Sequence, residues 1–126
     1  MDDDLMIQKT MGRQLAVFGY EVVAAGEGRE AVTAYAQARE AGKPFDAVIL
    51  DLMVRDGWGG EQTLSELMRL DPQVRAILCS GTLAAPAAEY ERKGFRGVLD
   101  KPYSLGQLRV KLEAMLPSET GFPPAP

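Results

Sequence analysis

The chain has 126 residues, 46% of them hydrophobic and 25% charged, with a formal net charge of −4. That length suits one domain with one core, and the acidic balance argues against direct nucleic-acid binding, which needs a basic face to neutralise phosphates. The single cysteine excludes an internal disulfide, and the lack of histidine excludes the usual zinc spacings and histidine acid–base catalysis. No apolar run reaches membrane-spanning length. The opening MDDDLM lacks the basic and apolar regions of a secretory signal, so a cytoplasmic setting without membrane contact is expected.

In chain order, Ile7, Met11, Leu15 and Phe18 recur at helical spacing and predict a helix over 5–18, stopped by Gly19. EVVAA at 21–25 is a short strand candidate. Residues 29–41 are rich in helix formers, with Ala31, Tyr35 and Ala38 on one stripe, and Gly42 and Pro44 close the run. FDAVILDL at 45–52 holds a continuous apolar run suited to a strand covered on both faces, and it ends in a carboxylate, Asp51. Gly57, Trp58, Gly59 and Gly60 mark a loop. A helix over 61–70 turns Leu64, Leu67 and Met68 inward and ends at Asp71–Pro72.

VRAILC at 74–79 is another strand, with Ser80 and Gly81 after it. A helix over 84–93 tolerates Pro86 only in its first turn. Residues 95–99 form a last short strand. Ser104 then N-caps a helix carrying Leu105, Leu108, Leu112 and Met115. The prolines, glycine, serine and threonine of 117–126 follow no apolar period, which predicts a disordered or linker tail after a folded domain over 1–116. Strands alternating with helices imply an α/β fold, a doubly wound parallel sheet, to which this chain would contribute four strands.

In such sheets ligands collect beyond the carboxyl ends of the strands. Those ends offer Asp51, Ser80 and Lys101, and the triplet Asp2, Asp3 and Asp4 adds acidic groups just before the first helix. Converging carboxylates repel unless a cation joins them, and oxygen ligands suit Mg2+. A carboxylate can attack phosphorus to form an acyl phosphate, while an ammonium and a hydroxyl neutralise the remaining oxygens. Asp4 reads equally well as a helix cap. Arg55, Asp56 and Trp58 read as loop residues, Cys79 as core, and Tyr103 as packing beside Pro102.

The acidic pair before the first helix, the aspartate of VILDL, Ser80–Gly81 and Lys101–Pro102–Tyr103 together resemble the receiver domain of response regulators, over residues 2–116. GKPFDAVILDL and GFRGVLDKPY look like receivers attached to hybrid sensor histidine kinases. The resemblance implies a flavodoxin-like strand order 2-1-3-4-5, Asp51 as phosphoacceptor, and Asp2, Asp3 and the backbone carbonyl of Met53 as metal ligands with Asp51. It further implies Ser80 as switch hydroxyl, Lys101 as its partner and a cis Lys101–Pro102 bond.

The partner it implies is a histidine kinase or a histidine phosphotransfer domain in two-component phosphorelay signalling. The domain would be a phosphoprotein and not an enzyme beyond slow self-dephosphorylation, and a homodimer stays open. Three departures stand out: Val98 where an aromatic switch residue is common, Arg55 where proline is common, and no segment resembling the family's first strand. That strand would lie between the second and third, so its lack should leave backbone groups unpaired at about 1–3 kcal/mol each, and an unstable, dimerised or rearranged fold. The alternative reading is a receiver-like interaction module that signals without phosphate. A phosphoaspartate hydrolase or nucleotide-binding enzyme is the weaker third, for want of a GxxxxGK[ST] loop.

Overall fold

The computed structural model describes residues 1–81 and 83–116. Along them run α1 (Leu5–Val17), α2 (Gly28–Glu40), β1 (Val48–Asp51), α3 (Gly60–Leu70), β2 (Ala76–Ser80), α4 (Ala87–Lys93), β3 (Gly97–Asp100) and α5 (Leu105–Met115). The three strands form one parallel sheet in the order β1-β2-β3, with Leu50 opposite Leu78 and Leu78 opposite Val98. This is the α/β architecture expected. The expected tail, 117–126, lies outside the described residues.

β2 is buried at every position because helices cover both faces of the sheet, the usual state of a parallel sheet. Its alternation divides the core in two. Leu50, Ala76 and Leu78 pack with Tyr35, Leu64, Leu67, Tyr90 and Phe95 on the face of α2, α3 and α4. Ile77, Cys79 and Leu99 pack with Leu15, Leu108 and Leu112 of α1 and α5 on the other. Helix ends follow local chemistry: Asp4 accepts from the amides of Met6 and Ile7 at the start of α1, and Ser104 with Gln107 forms a reciprocal capping box on α5.

Several boundaries differ from expectation. Pro86 is the N-cap of α4, not a residue of its first turn, so the helix starts at Ala87. Met68 lies at the rim of α3, 36% exposed, because Leu64 and Leu67 already fill the inward stripe. Ser80 belongs to β2 rather than following it.

The larger correction concerns residues 21–25. They form no strand, and the sheet has three strands from the described residues, not four. β-branched residues favour an extended backbone, but a strand also needs a neighbour for its amides and carbonyls. Only the end of that lane is filled. The Met1 ammonium donates to the Ile49 carbonyl at 2.6 Å, the Met1 carbonyl accepts from the Asp51 amide at 3.0 Å, and the Asp2 amide donates to the Ala25 carbonyl at 3.0 Å. The rest of the lane is a cavity of about 470 Å³ between 21–25 and β1. The sheet has not rearranged to close it.

Candidate functional site

The site gathers at the carboxyl end of the sheet because two chain segments converge there. β1 delivers Asp51 as its last residue, and the ladder from Met1 and Asp2 fixes the acidic triplet against that same end. Gln8 of α1 adds a hydrogen bond from Nε2 to the Asp2 carbonyl at 2.6 Å. One carboxylate oxygen from each of Asp2, Asp3 and Asp51 lies within 4.8 Å of the others. Asp4 stays outside this group and serves α1 as its cap.

Two cations answer the three acids. Lys101 Nζ lies 3.2 Å from Asp2 Oδ2 and 3.6 Å from Asp51 Oδ2. Its position follows from β3, which carries the chain to Asp100, and from the Lys101 amide donating to the Ser80 carbonyl at 2.8 Å. The Lys101–Pro102 bond is cis. Arg55 is the second cation, its backbone amide 3.0 Å and its Nε 3.5 Å from Asp3 Oδ2.

Burial pushes the Asp51 carboxyl above the ordinary carboxylate value; Lys101 opposes that rise and Asp2 adds to it. The Met53 backbone amide also hydrogen-bonds Asp51 and favours its charged form. Burial works against the charge of Lys101, but the Asp51 and Asp2 carboxylates outweigh it, and its pKa rises. Lys101 thus favours the charged form of Asp51, and the carboxylates favour the charged form of Lys101, in a half-buried setting where charges interact more strongly than in water.

Of the residues singled out in the sequence, Asp2, Asp3, Asp51 and Lys101 come together directly. Ser80 is buried, one residue past Cys79, the register partner of Asp51. Met53 opens the following loop with its side chain exposed. Cys79 is core, as expected, with burial pushing its thiol up to about 11. Tyr103 hydrogen-bonds that thiol.

Arg55 was missed as a site residue. Its only sequence signal is a cationic residue in the loop after Asp51, and exposed loop arginines are common. The clamp on that loop was missed too. Glu27 Oε1 accepts from the amides of Arg29 at 2.9 Å and Trp58 at 3.1 Å, and the Arg29 guanidinium sits 5.4 Å over the Trp58 ring. Gly57, at φ 114°, presses so close to Glu27 that a β-carbon would lie 2.3 Å from its Oε1, so only glycine fits both the turn and the space.

The comparisons with known proteins agree with this geometry. The family model described as response regulator receiver domain matches residues 1–113. A probable transcriptional regulator ycf27 of Guillardia theta is 31% identical over 92% of this chain and 43% of its own length. The transcriptional regulatory protein AruR of Pseudomonas aeruginosa is 31% identical over 64% of this chain and 32% of its own. The chain therefore spans less than half the length of these relatives. Among solved structures, the receiver domain of NtrX from Brucella abortus superposes with a TM-score of 0.81 at 22% identity, covering 91% of this chain and 93% of that one. A CheX–CheY–BeF3–Mg2+ complex from Borrelia burgdorferi superposes with a TM-score of 0.79 at 23% identity, covering 90% and 83%. At such identities these structures speak for the fold alone.

Proposed function

This chain belongs to the response regulator receiver domain family, and on that premise we propose that Asp51 accepts a phosphoryl group from phosphohistidine on a histidine kinase or histidine phosphotransfer domain. The observation that carries the reading is the convergence of Asp2, Asp3 and Asp51 within 4.8 Å, with Lys101 reaching two of them. In the transfer, an Asp51 carboxylate oxygen forms a bond to phosphorus while the P–N bond to the donor imidazole breaks. The electron pair of that bond stays on the ring nitrogen.

The three carboxylates are hard oxygen donors and fit Mg2+, with the Met53 carbonyl as a further ligand. Bound there, Mg2+ would offset the repulsion between the acids and an incoming phosphoryl group. Lys101 favours the charged form of Asp51 that attack requires and stands ready to pair with a phosphoryl oxygen. The Ser80 hydroxyl would take another oxygen. Phosphorylation would then bias two surface arrangements around α4 and α5. Acting this way in a cytoplasmic phosphorelay, as a module of a hybrid kinase or on its own, the chain is an acceptor rather than an enzyme.

Arg55 on Asp3 gives a second reading some footing: a cation of the protein itself already occupies one acid, as an interaction module working without phosphate would allow. The two separate by experiment. With Mg2+ and a small phosphodonor, the intact mass should gain one phosphoryl group, and Asp51→Asn should abolish the gain, as should chelation of the metal. A gain that persists in Asp51→Asn, or none in the wild type, rejects the first reading.

A further inference from the structure

The loop between β1 and α3, residues 52–59, carries two backbone groups that bear on the acids. The Met53 amide hydrogen-bonds Asp51, and the Arg55 amide donates to Asp3 Oδ2 at 3.0 Å. The far end is closed by the Gly60 amide on the Leu52 carbonyl at 3.1 Å and by the Thr63 hydroxyl on the Gly59 carbonyl at 2.7 Å. Between these anchors no proline fixes the backbone: Arg55 stands at the place common for one, and Gly57 adds freedom. Holding so loose a loop in one shape costs conformational entropy.

The restraint comes from another segment. Glu27, the N-cap of α2, turns one oxygen to two amides, that of Arg29 in its own helix and that of Trp58 in the loop. The Gly28 amide donates back to the Trp58 carbonyl at 3.0 Å, so residues 27 and 28 hold both backbone groups of Trp58. The Arg29 guanidinium covers the indole ring. Close approach is possible because neighbouring positions lack side chains: a β-carbon on Gly28 would lie 2.6 Å from that of Trp58. Hydrogen bonds from backbone amides, that of Arg29 foremost, hold the Glu27 carboxyl below its ordinary value. The clamp is therefore charge-assisted at neutral pH.

We propose that Glu27 is a positioning residue for the metal site: it touches neither the ion nor the phosphoryl group, and it sets the loop from which Met53 offers its carbonyl. This rests on the reading of Asp2, Asp3, Asp51 and Met53 as Mg2+ ligands. The clamp lowers the entropy lost when the loop meets the ion, because the Trp58 end is already fixed before binding.

Calorimetry of Mg2+ binding and hydrogen exchange of the metal-free protein test it together. Glu27→Ala should weaken Mg2+ binding by about tenfold, the usual scale for a residue behind a ligand, and speed exchange of the Trp58 amide by at least about tenfold. Glu27→Gln keeps an acceptor oxygen without the charge and should fall between Glu27→Ala and the wild type in both. Gly57→Ala drives a carbon against the intact carboxylate and should match Glu27→Ala. Ile77→Val, a core truncation on the face of α1 and α5, should lower stability and leave Mg2+ affinity unchanged. At saturating Mg2+, Glu27→Ala should take a phosphoryl group from a small donor at close to the wild-type rate, since the acids themselves are intact. Unchanged Mg2+ affinity in Glu27→Ala overturns the proposal, as does an equal loss in Ile77→Val, which would mark a general effect of stability. A rate that stays low at saturating Mg2+ overturns it too. A wild type that binds Mg2+ but takes no phosphoryl group rejects Asp51 as acceptor, and the order of affinities among the variants still decides the role of Glu27.

Discussion

The two edges of β1 are built from the same four residues and meet opposite fates. Toward β2 every position has a partner in register, from Val48–Ala76 to Asp51–Cys79, and the interior there is filled by Ile77 and Leu78, both fully buried. Toward 21–25 the backbone bonds come from Met1 and Asp2 at one end, a cavity follows, and Val22 and Val23 are 42% and 61% exposed. A strand's apolar character is therefore not enough to secure it. What differs between the edges is whether backbone groups and side chains find partners at the same time.

That contrast can be broken by truncation on each side. Leu78→Ala should cost about 2–5 kcal/mol, as buried leucines do, while Val23→Ala should stay within about 0.5 kcal/mol. Urea unfolding of both variants checks this, and comparable losses would erase the distinction.

Tyr35 lines the cavity yet belongs to the filled core, and its hydroxyl donates to Asp71 at 2.7 Å. Tyr35→Phe should cost about 1.5 kcal/mol, where ordinary and charge-assisted hydrogen bonds meet. The Tyr35 bond holds the Asp71 carboxyl below its ordinary value. Its stabilisation is thus present above the unfolded-state pKa and lost as pH falls through the folded one. The variant's stability should accordingly fall less steeply in acid, read from melting midpoints across the acid range.

Asp51 gives the opposite sign where the two regions meet. Its folded pKa is raised by burial, so its ionisation opposes folding as pH climbs past the ordinary carboxylate range. Asp51→Asn should raise the melting midpoint at neutral pH, and the gain should vanish at low pH. Lys101→Met should push the Asp51 pKa higher still, visible as a shifted carboxyl titration by NMR.

A small effect is expected of Arg55. It is an exposed pair with Asp3 and should contribute about 0–1 kcal/mol. Freed of that pairing, Arg55→Ala should bind Mg2+ less than about fivefold more tightly, measured by Trp58 fluorescence or calorimetry. A larger change would make the open side of the site a strong competitor for the metal.

Much of this was legible in the sequence. Apolar spacing, helix-forming composition and caps located the five helices among the described residues, and apolar runs located the strands leading to Asp51, Ser80 and Lys101. The acidic pair and Lys101 were identifiable by type and by their places at strand ends. Arg55 and Glu27 were not, since a loop charge carries no period and its partner is set by how the loop folds back.

Residue order by itself thus determined the α/β layering, the two-faced core and the residue types that stand at the sheet's carboxyl end. Only the tertiary structure decided that 21–25 forms no strand, that Met1 and Asp2 hold the acids in place through backbone bonds, and that Arg55 sits on Asp3. The reason is physical. Side-chain pattern is a local property of the chain, whereas hydrogen-bond partners and ion pairs between distant segments exist only once the packing brings them within reach.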